Sequence, residues 1–370
     1  MSDSDLHRSP LHDRHRALGA KMVPFAGFHM PVQYPAGITA EHQAVRQRSG
    51  IFDVSHMGEF EVRGDQALDL VQLVTVNDVR ATEPGKAQYS AMCRDDGGIL
   101  DDLIVYRFPD SLMLVVNAAN REKDLAWIRE HADGLDARVR DRSGETALLA
   151  IQGPTARDVV KEVTDHDVDA IGYYRFQEGA VAGVDAVISA TGYTGEDGFE
   201  LYLPADDAVA VWDALLEAGE PHGLVPAGLG ARDSLRLEVG YALYGNDLDE
   251  EHTPLEAGLG WITKLDGYPF VGREALRRQK EAGVERKLVG LRLTDRGFPR
   301  PGYDVVHGDR VVGSVTSGTV SPTLQVGIAL AYVPASMSEP GTELGVRIRD
   351  AAVPARVEKP PFYTDGSIRR

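Results

Sequence analysis

Two adjacent acids, Asp101 and Asp102, sit inside the apolar run "GGILDDLIVY" at residues 97–106. Neighbours on a strand point to opposite faces. Ile99, Asp101, Leu103 and Val105 therefore share one face, and Leu100, Asp102, Ile104 and Tyr106 the other. Neither face is polar enough to take both carboxylates into water. At least one of them must face protein or a cavity, where an unpaired charge is costly and a partner or ligand is expected. Other groups with chemical capacity lie among glycines. Tyr89 is on the strand that pairs across the hairpin with Asp102, and Tyr193 is in the loop "GYTGEDG". Glu200 interrupts "FELYL" on the face opposite Phe199, Leu201 and Leu203, while Arg232 and Tyr241 flank "ARDSLRLEVGY". Acids that accept from amino and ring N–H groups, with aromatic faces for stacking, suit a polar heteroaromatic ligand.

Taken singly, most of these residues have a structural explanation. Glu200 reads as a solvated residue of a half-exposed strand. Arg232 is spaced to pair with Asp233 or Glu238 on its own helix. The tyrosines read equally as core aromatics with satisfied hydroxyls, and His56 in "FDVSHMG" as a structural histidine. The acid pair resists that treatment.

Several chemistries drop out. "GLGARD" at 228–233 has Asp233 where a dinucleotide loop needs its third glycine, and no strand clearly precedes it. "GYTGEDG" lacks the Lys-Ser/Thr pair of a P-loop, and neither HExxH nor GxSxG is present. The single cysteine, Cys93, builds neither a disulfide framework nor a Cys-rich zinc site, which suits a reducing cytosol. No metal is expected. Lys and Arg number 39 against 57 Asp and Glu, a net charge of -18 that disfavours nucleic acid. No run reaches the roughly 20 apolar residues of a membrane helix, and the polar N-terminus lacks the apolar core of a secretory signal. A cytoplasmic protein is expected. His7, His12 and His15 are read as part of an exposed, flexible terminus rather than a metal site.

The elements that must position these groups form two textures. Thr39 to Ser49 reads as a helix with Thr39 at its N-cap and Gly50 closing it. "AQYSAMC" and "ILDDLIVY" form a hairpin around Arg94–Gly98, and "LMLVVNAAN" leads into a helix at "REKDLAWIREHA". "ALLAIQG" is followed by a helix at "PTARDVVKEV". A strand from Ala186 precedes the glycine loop, "FELYLP" follows it, and "DDAVAVWDALLEAG", "GARDSLRLEVG" and "VGREALRRQKEAG" are helical. Beyond Gly283 short strands broken by Gly, Pro and Asp read as a small all-β barrel or sandwich. The front is mixed α+β.

Together, "VSHMG", "GGILDDLIVY", "IQGPTA", "GYTGEDGFE", "ARDSLRLEVG", "LYGNDLDE" and "GSVTSGTVSPTL", part of a match that runs in order from Pro10 to Tyr363, resemble the glycine cleavage system T proteins, folate-dependent aminomethyltransferases. The resemblance implies an α+β, three-lobed cloverleaf of two mixed α/β folate-binding lobes and a C-terminal β-barrel. Residues 1–283 form the core, as sublobes of about 1–52 with 138–283 and about 53–137, and residues 284–370 the barrel. It implies transfer of a one-carbon unit from the aminomethyl-loaded dihydrolipoyl arm of a carrier (H) protein to tetrahydrofolate, giving 5,10-methylenetetrahydrofolate and ammonia.

Carried over residue by residue, Asp102 matches the key acid beside the reactive folate nitrogens. Glu200 matches the acid on the pterin edge, Tyr89, Tyr193 and Tyr241 match pocket contacts, and Arg232 matches an arginine that balances the acids. Asn117 is a further contact, and Asp101 is left to cap or pair structurally on the other face. The family often closes on "PFYKR"; here "PFYTDGSIRR" leaves Arg369 or Arg370 to meet the folate tail. An acidic carrier needs a basic patch, for which Arg273, Arg277, Arg278 and Lys280 are nominated. The alternatives are a folate-dependent demethylase of a small methylated substrate and a non-catalytic folate-binding protein of the same fold. The latter proteins carry K-G-C-Y-x-G-Q-E where this chain has "TGYTGEDG".

Overall fold

A computed structural model describes residues 6–369, the side chain of Arg369 excepted. Two sheets meet face to face. A six-stranded sheet runs in the order Phe176–Val181, Val184–Ser189, Gly198–Pro204, Thr146–Gln152, Ser49–Asp53 and Leu224–Pro226, antiparallel but for its last pair. The second sheet has five antiparallel strands in the order Lys86–Cys93, Ile99–Arg107, Ser111–Val116, Gly58–Arg63 and Arg138–Asp141. Strand Arg138–Asp141 thus belongs to the second sheet through its pairing with Gly58–Arg63.

Each sheet buries its outer face under helices. In helix Ala208–Gly219, Ala208, Val211, Trp212 and Leu215 recur at helical spacing and pack on Leu149, Ile151, Phe199 and Leu201. Helices Ala67–Val74 and Arg121–His131 cover the five-stranded sheet through Leu70, Val71, Val74 and Ile128. A shared core joins the inner faces, where Phe52, Leu148, Phe176 and Tyr202 of one sheet meet Ala87, Tyr106 and Val115 of the other.

Strands Arg286–Leu293, Asp304–His307, Arg310–Val320, Gly327–Pro334, Glu343–Ile348 and Ala351–Glu358 close into a barrel around Leu291, Val305, Ala331 and Val346. Closure removes the sheet edges that short β-strands otherwise expose. Among the described residues no helix is long and apolar enough to cross a membrane.

The structure corrects several expectations. The early helix is Ile38–Gln47, entered from Gly37, so Thr39 is not its N-cap. Ser49 and Gly50 already belong to strand Ser49–Asp53, and a Cβ on Gly50 would stand 2.6 Å from Val45 Cγ2. That glycine serves close packing rather than helix termination. His12 and His15 lie in helix His12–Ala17 and are buried, against the expectation of an exposed terminus. His15 sits between Asp53 Oδ2 and Tyr34 OH, each 2.8 Å away.

A short strand, Leu224–Pro226, does precede "GLGARD". Its glycines nevertheless serve packing. A Cβ on Gly228 would meet the Val32 backbone at 2.5 Å, and one on Gly230 would meet Ile38 Cδ1 at 2.5 Å. They let helix Leu229–Glu238 lie close to the hairpin of Lys21–Phe25 and Phe28–Gln33.

Candidate active site

The two aspartates separate as strand alternation requires. Asp101, wholly buried, points to the helical side. It accepts from Asn117 N at 3.0 Å, Asn117 Nδ2 at 2.9 Å and Asn120 Nδ2 at 2.6 Å. Asp102 points the other way. Its Oδ2 accepts from Tyr89 OH at 2.9 Å and its Oδ1 from Asn117 Nδ2 at 2.8 Å. Register explains the first bond: Asp102 is opposite Ala91 and Tyr89 opposite Ile104, so Tyr89 is a diagonal neighbour on the same face. Asn117 follows strand Ser111–Val116 and bridges both acids with one amide.

Burial pushes the Asp102 carboxyl up to about 7, and the charge of Asp101 pushes the same way, against the bonds from Tyr89 and Asn117. An acid poised there holds or releases a proton at neutral pH.

Facing this acid is the loop between strands Val184–Ser189 and Gly198–Pro204. Arg46 pins it by donating to Thr194 O at 2.7 Å and Glu196 Oε1 at 2.9 Å, while also pairing with Glu238 at 2.8 Å. Gly195 has φ of 79° and a Cβ there would lie 2.3 Å from Val239, so the turn requires glycine. So held, the Tyr193 ring stacks on Tyr241 with centroids 5.7 Å apart. Its hydroxyl donates to Ala242 O. Tyr193 lies within the field of Asp102 and of Arg232, which ties the two sides together.

Arg232 does not pair with Asp233 or Glu238. Arg236 takes Asp233 at 2.9 Å and Asp247 at 2.7 Å. Among the described residues Arg232 has no ion pair; its guanidinium lies 4.7 Å over the Tyr193 ring. Glu200 is buried, not solvated. Thr191 Oγ1 donates to its Oε2 at 2.6 Å, and no hydrogen bond from the described residues reaches Oε1. Burial raises its carboxyl, opposed by Thr191 and by the charge of Arg232. Behind Glu200, Tyr106, Ser189, Thr191 and Tyr202 form a closed set of hydroxyls at 2.9–3.1 Å.

Tyr89 and Asn117 are thus bonded to Asp102, Tyr193 lies in the field of Asp102 and under Arg232 and stacks on Tyr241, and Glu200 lies in the field of Arg232; further residues join them that the sequence pattern did not mark. Tyr174 has φ of 58° and ties the sheets together: its carbonyl accepts from Ala87 N and its N–H donates to Ala190 O, both at 2.9 Å. It lies within the field of Tyr241 and Glu200. The indole of Trp261, 66% exposed, stacks on Tyr89 with centroids 6.2 Å apart. Its loop is fastened by Arg273 and Arg277, whose Nε atoms donate to Leu265 O at 2.8 and 3.0 Å. Two of the four cations nominated for a docking patch are thus committed to that loop, while Arg278 and Lys280 are exposed. Arg370 and the Arg369 side chain lie outside the described residues. The tail before them is held by Arg46 stacked 4.3 Å from the Tyr363 ring and by Ser367 on Glu196.

A family model described as the GCVT N-terminal domain matches residues 11–267, and one for the glycine cleavage T-protein C-terminal barrel domain matches residues 286–364. The chain belongs to the glycine cleavage T-protein family. It is 52% identical to an aminomethyltransferase of Symbiobacterium thermophilum, the match covering 98% of each protein. It is also 52% identical to one of Rubrobacter xylanophilus, covering 97% of this chain and 94% of that protein. The crystal structure of the glycine cleavage system aminomethyltransferase T from Bartonella henselae matches with a TM-score of 0.91 at 34% identity, covering 97% of this chain and 98% of that one. The T-protein family is one of tetrahydrofolate-dependent aminomethyltransferases, and the chain is an enzyme of that class. Among the described residues no group of His, Cys, Asp or Glu is arranged to hold a metal ion.

Proposed function

We propose that this T protein transfers the one-carbon unit of an aminomethyl group, carried on the dihydrolipoyl arm of an H-type carrier protein, to tetrahydrofolate, releasing ammonia and 5,10-methylenetetrahydrofolate. The observation that carries the reading is the Asp102 carboxyl. It is held by Tyr89 and Asn117, is poised near neutrality, and is coupled to Tyr193, which stacks on Tyr241 and lies under Arg232, a guanidinium with no ion pair among the described residues.

These residues fit a reduced pterin. Among the described residues no donor reaches Glu200 Oε1, which suits adjacent amino and ring N–H groups. The Tyr193–Tyr241 and Tyr89–Trp261 pairs offer flat faces. Arg232 offsets the charge of Glu200 without direct contact. When bound, tetrahydrofolate supplies the two nitrogens that take up the carbon.

The chain's own groups do the rest. Tyr89 and Asn117 fix the Asp102 carboxylate, which accepts a proton from an attacking nitrogen and stabilises the positive charge that develops as ammonia departs. Folate bound beside Asp102 would displace water from it, so that electrostatic interactions there become stronger than in solution. Overall two N–H protons leave the folate; one goes to the departing amine and one to the carrier thiol, so protons balance. The protein works in the cytoplasm with the carrier as partner, and no nucleic acid or membrane takes part.

The test supplies tetrahydrofolate with aminomethyl-loaded lipoyl carrier, and separately with small methyl donors. Ammonia release that needs both carrier and folate supports the reading. Methyltetrahydrofolate formed from a methyl donor, without carrier-dependent ammonia, would replace it with demethylation.

A further inference from the structure

The reading above leaves unused a third acid behind the pair. Asp124, in the first turn of helix Arg121–His131, is wholly buried. Among the described residues, no N–H or O–H donates to either of its carboxyl oxygens. Its sequence neighbour Lys123 does not pair with it: the ammonium bonds Leu100 O at 2.8 Å, Tyr244 OH at 3.0 Å and Glu250 Oε1 at 3.1 Å. An ionised carboxylate with neither donor nor cation would be costly in such a place.

The adjoining carboxyl, Asp101, has the reverse inventory. Three N–H donors converge on it, from Asn117 N, Asn117 Nδ2 and Asn120 Nδ2. It is also within hydrogen-bonding contact of Asp124. Two acceptors cannot bond one another unless one carries a proton. Since every donor goes to Asp101, the charge belongs there and the proton to Asp124.

We propose that Asp124 is a positioning residue, a permanently protonated carboxylic acid that donates its hydrogen to Asp101, and that the single negative charge so fixed on Asp101 sets the protonation midpoint of Asp102. The link to the site is the Asn117 amide, which donates to Asp101 Oδ1 at 2.9 Å and to Asp102 Oδ1 at 2.8 Å. Burial and the charge of Asp101 hold the Asp124 carboxyl up to about 11, in the direction the donor count requires. The charged and titratable groups around the three acids are Tyr89 from the facing strand, Lys123 from the same helix, Tyr193 from the glycine loop and Tyr244 from the segment after helix Leu229–Glu238. Of these only Lys123 is cationic, and its charge is shared with Glu250.

The proposal deepens the assignment of Asp102 and rests on it for its catalytic meaning, but its test needs no turnover. Infrared spectra of the whole protein at pH 9 should show a buried protonated-carboxyl band that Asp124→Asn removes and Asp102→Asn leaves. Carbon NMR of aspartate-labelled protein, with Asp102 assigned by its loss in Asp102→Asn, then gives the Asp102 midpoint. Asp124→Asn replaces one neutral donor by another and should leave that midpoint where it is. Asp101→Asn removes the fixed charge and should lower it by about one unit or more, the usual effect of a neighbouring like charge. If the wild type has no protonated-carboxyl band at pH 9, or if Asp124→Asn lowers the Asp102 midpoint as far as loss of a neighbouring charge would, Asp124 is ionised and the proposal is overturned. A failure of carrier-dependent ammonia release would sink the functional reading and leave both spectroscopic results standing.

Discussion

Replacing Asp102 by asparagine should stabilise the fold at alkaline pH while removing its activity. The carboxyl is raised from 3.8 to about 7. A group whose midpoint is raised on folding stabilises the fold fully below its unfolded midpoint, and that contribution is lost as pH rises through the folded one. About three units at about 1.4 kcal/mol each give a ceiling near 4 kcal/mol for the penalty above pH 8. The carboxyl keeps some solvent contact, and the amide must find acceptors for its own N–H groups in Tyr89 or solvent. A net gain of about 1–2 kcal/mol is therefore expected, given the cost of an imperfectly paired buried donor. Urea unfolding of wild type and Asp102→Asn at pH 5 and pH 8.5 measures it. The variant's advantage should be present at the higher pH and small or absent at the lower. Turnover should meanwhile fall by roughly 10²-fold or more, the range for a positioned acid–base group. A stability difference that does not change with pH would show that Asp102 is not held near neutrality, and the electrostatic argument would fail.

Other outcomes test neighbouring parts of the account. Arg232→Gln leaves Glu200 without its counter-charge and should raise the KM for tetrahydrofolate by roughly tenfold, the size of one charge-assisted interaction; an unchanged KM would remove Arg232 from the binding site. Gly195→Ala forces a side chain into a left-handed turn 2.3 Å from Val239, and should cost about 1–3 kcal/mol in thermal or chemical unfolding while weakening folate binding through displaced Tyr193. Asp53 is held down at about 2 by the bond and charge of His15 and by the Ser55 N–H, despite burial. A depressed acid stabilises above its unfolded midpoint and loses that contribution as pH falls through the folded one. Asp53→Asn should thus be less stable at pH 7, by up to about 2 kcal/mol, with the gap closing between pH 4 and 2. Trp261→Ala should raise the substrate KM with little change in unfolding midpoint, because the indole is mostly exposed.

Asp102 was legible because two acids in an apolar strand leave few bland explanations, and strand alternation assigns them to opposite sides. The barrel and the paired hairpins were legible from period-two patterning and glycine punctuation. Glu200 was only half legible: alternation gave its face, but not that a second sheet covers that face and buries it. Arg232 and Arg236, four residues apart on one helix, cannot be told apart by spacing. Only packing shows that Arg236 is consumed by Asp247 and the barrel residue Ser317, leaving Arg232 with no ion pair among the described residues. The hairpin at Lys21–Gln33 was hidden by Pro24 and Pro31, which demote a strand. His15 was misjudged because its partners Tyr34 and Asp53 come from later in the chain. Trp261 belongs to an irregular loop with no period to read, and Asp124 carries no signal until the strand behind it is placed.

The pH dependence of kcat/KM for carrier-dependent methylenetetrahydrofolate formation tests the central claim most directly, because it reports the free enzyme's essential groups. An ascending limb with a midpoint near 7 is expected, in line with the raised Asp102 carboxyl, and a low, limb-free rate in Asp102→Asn. An undiminished rate in the variant, or the same limb persisting without the carboxyl, would contradict it.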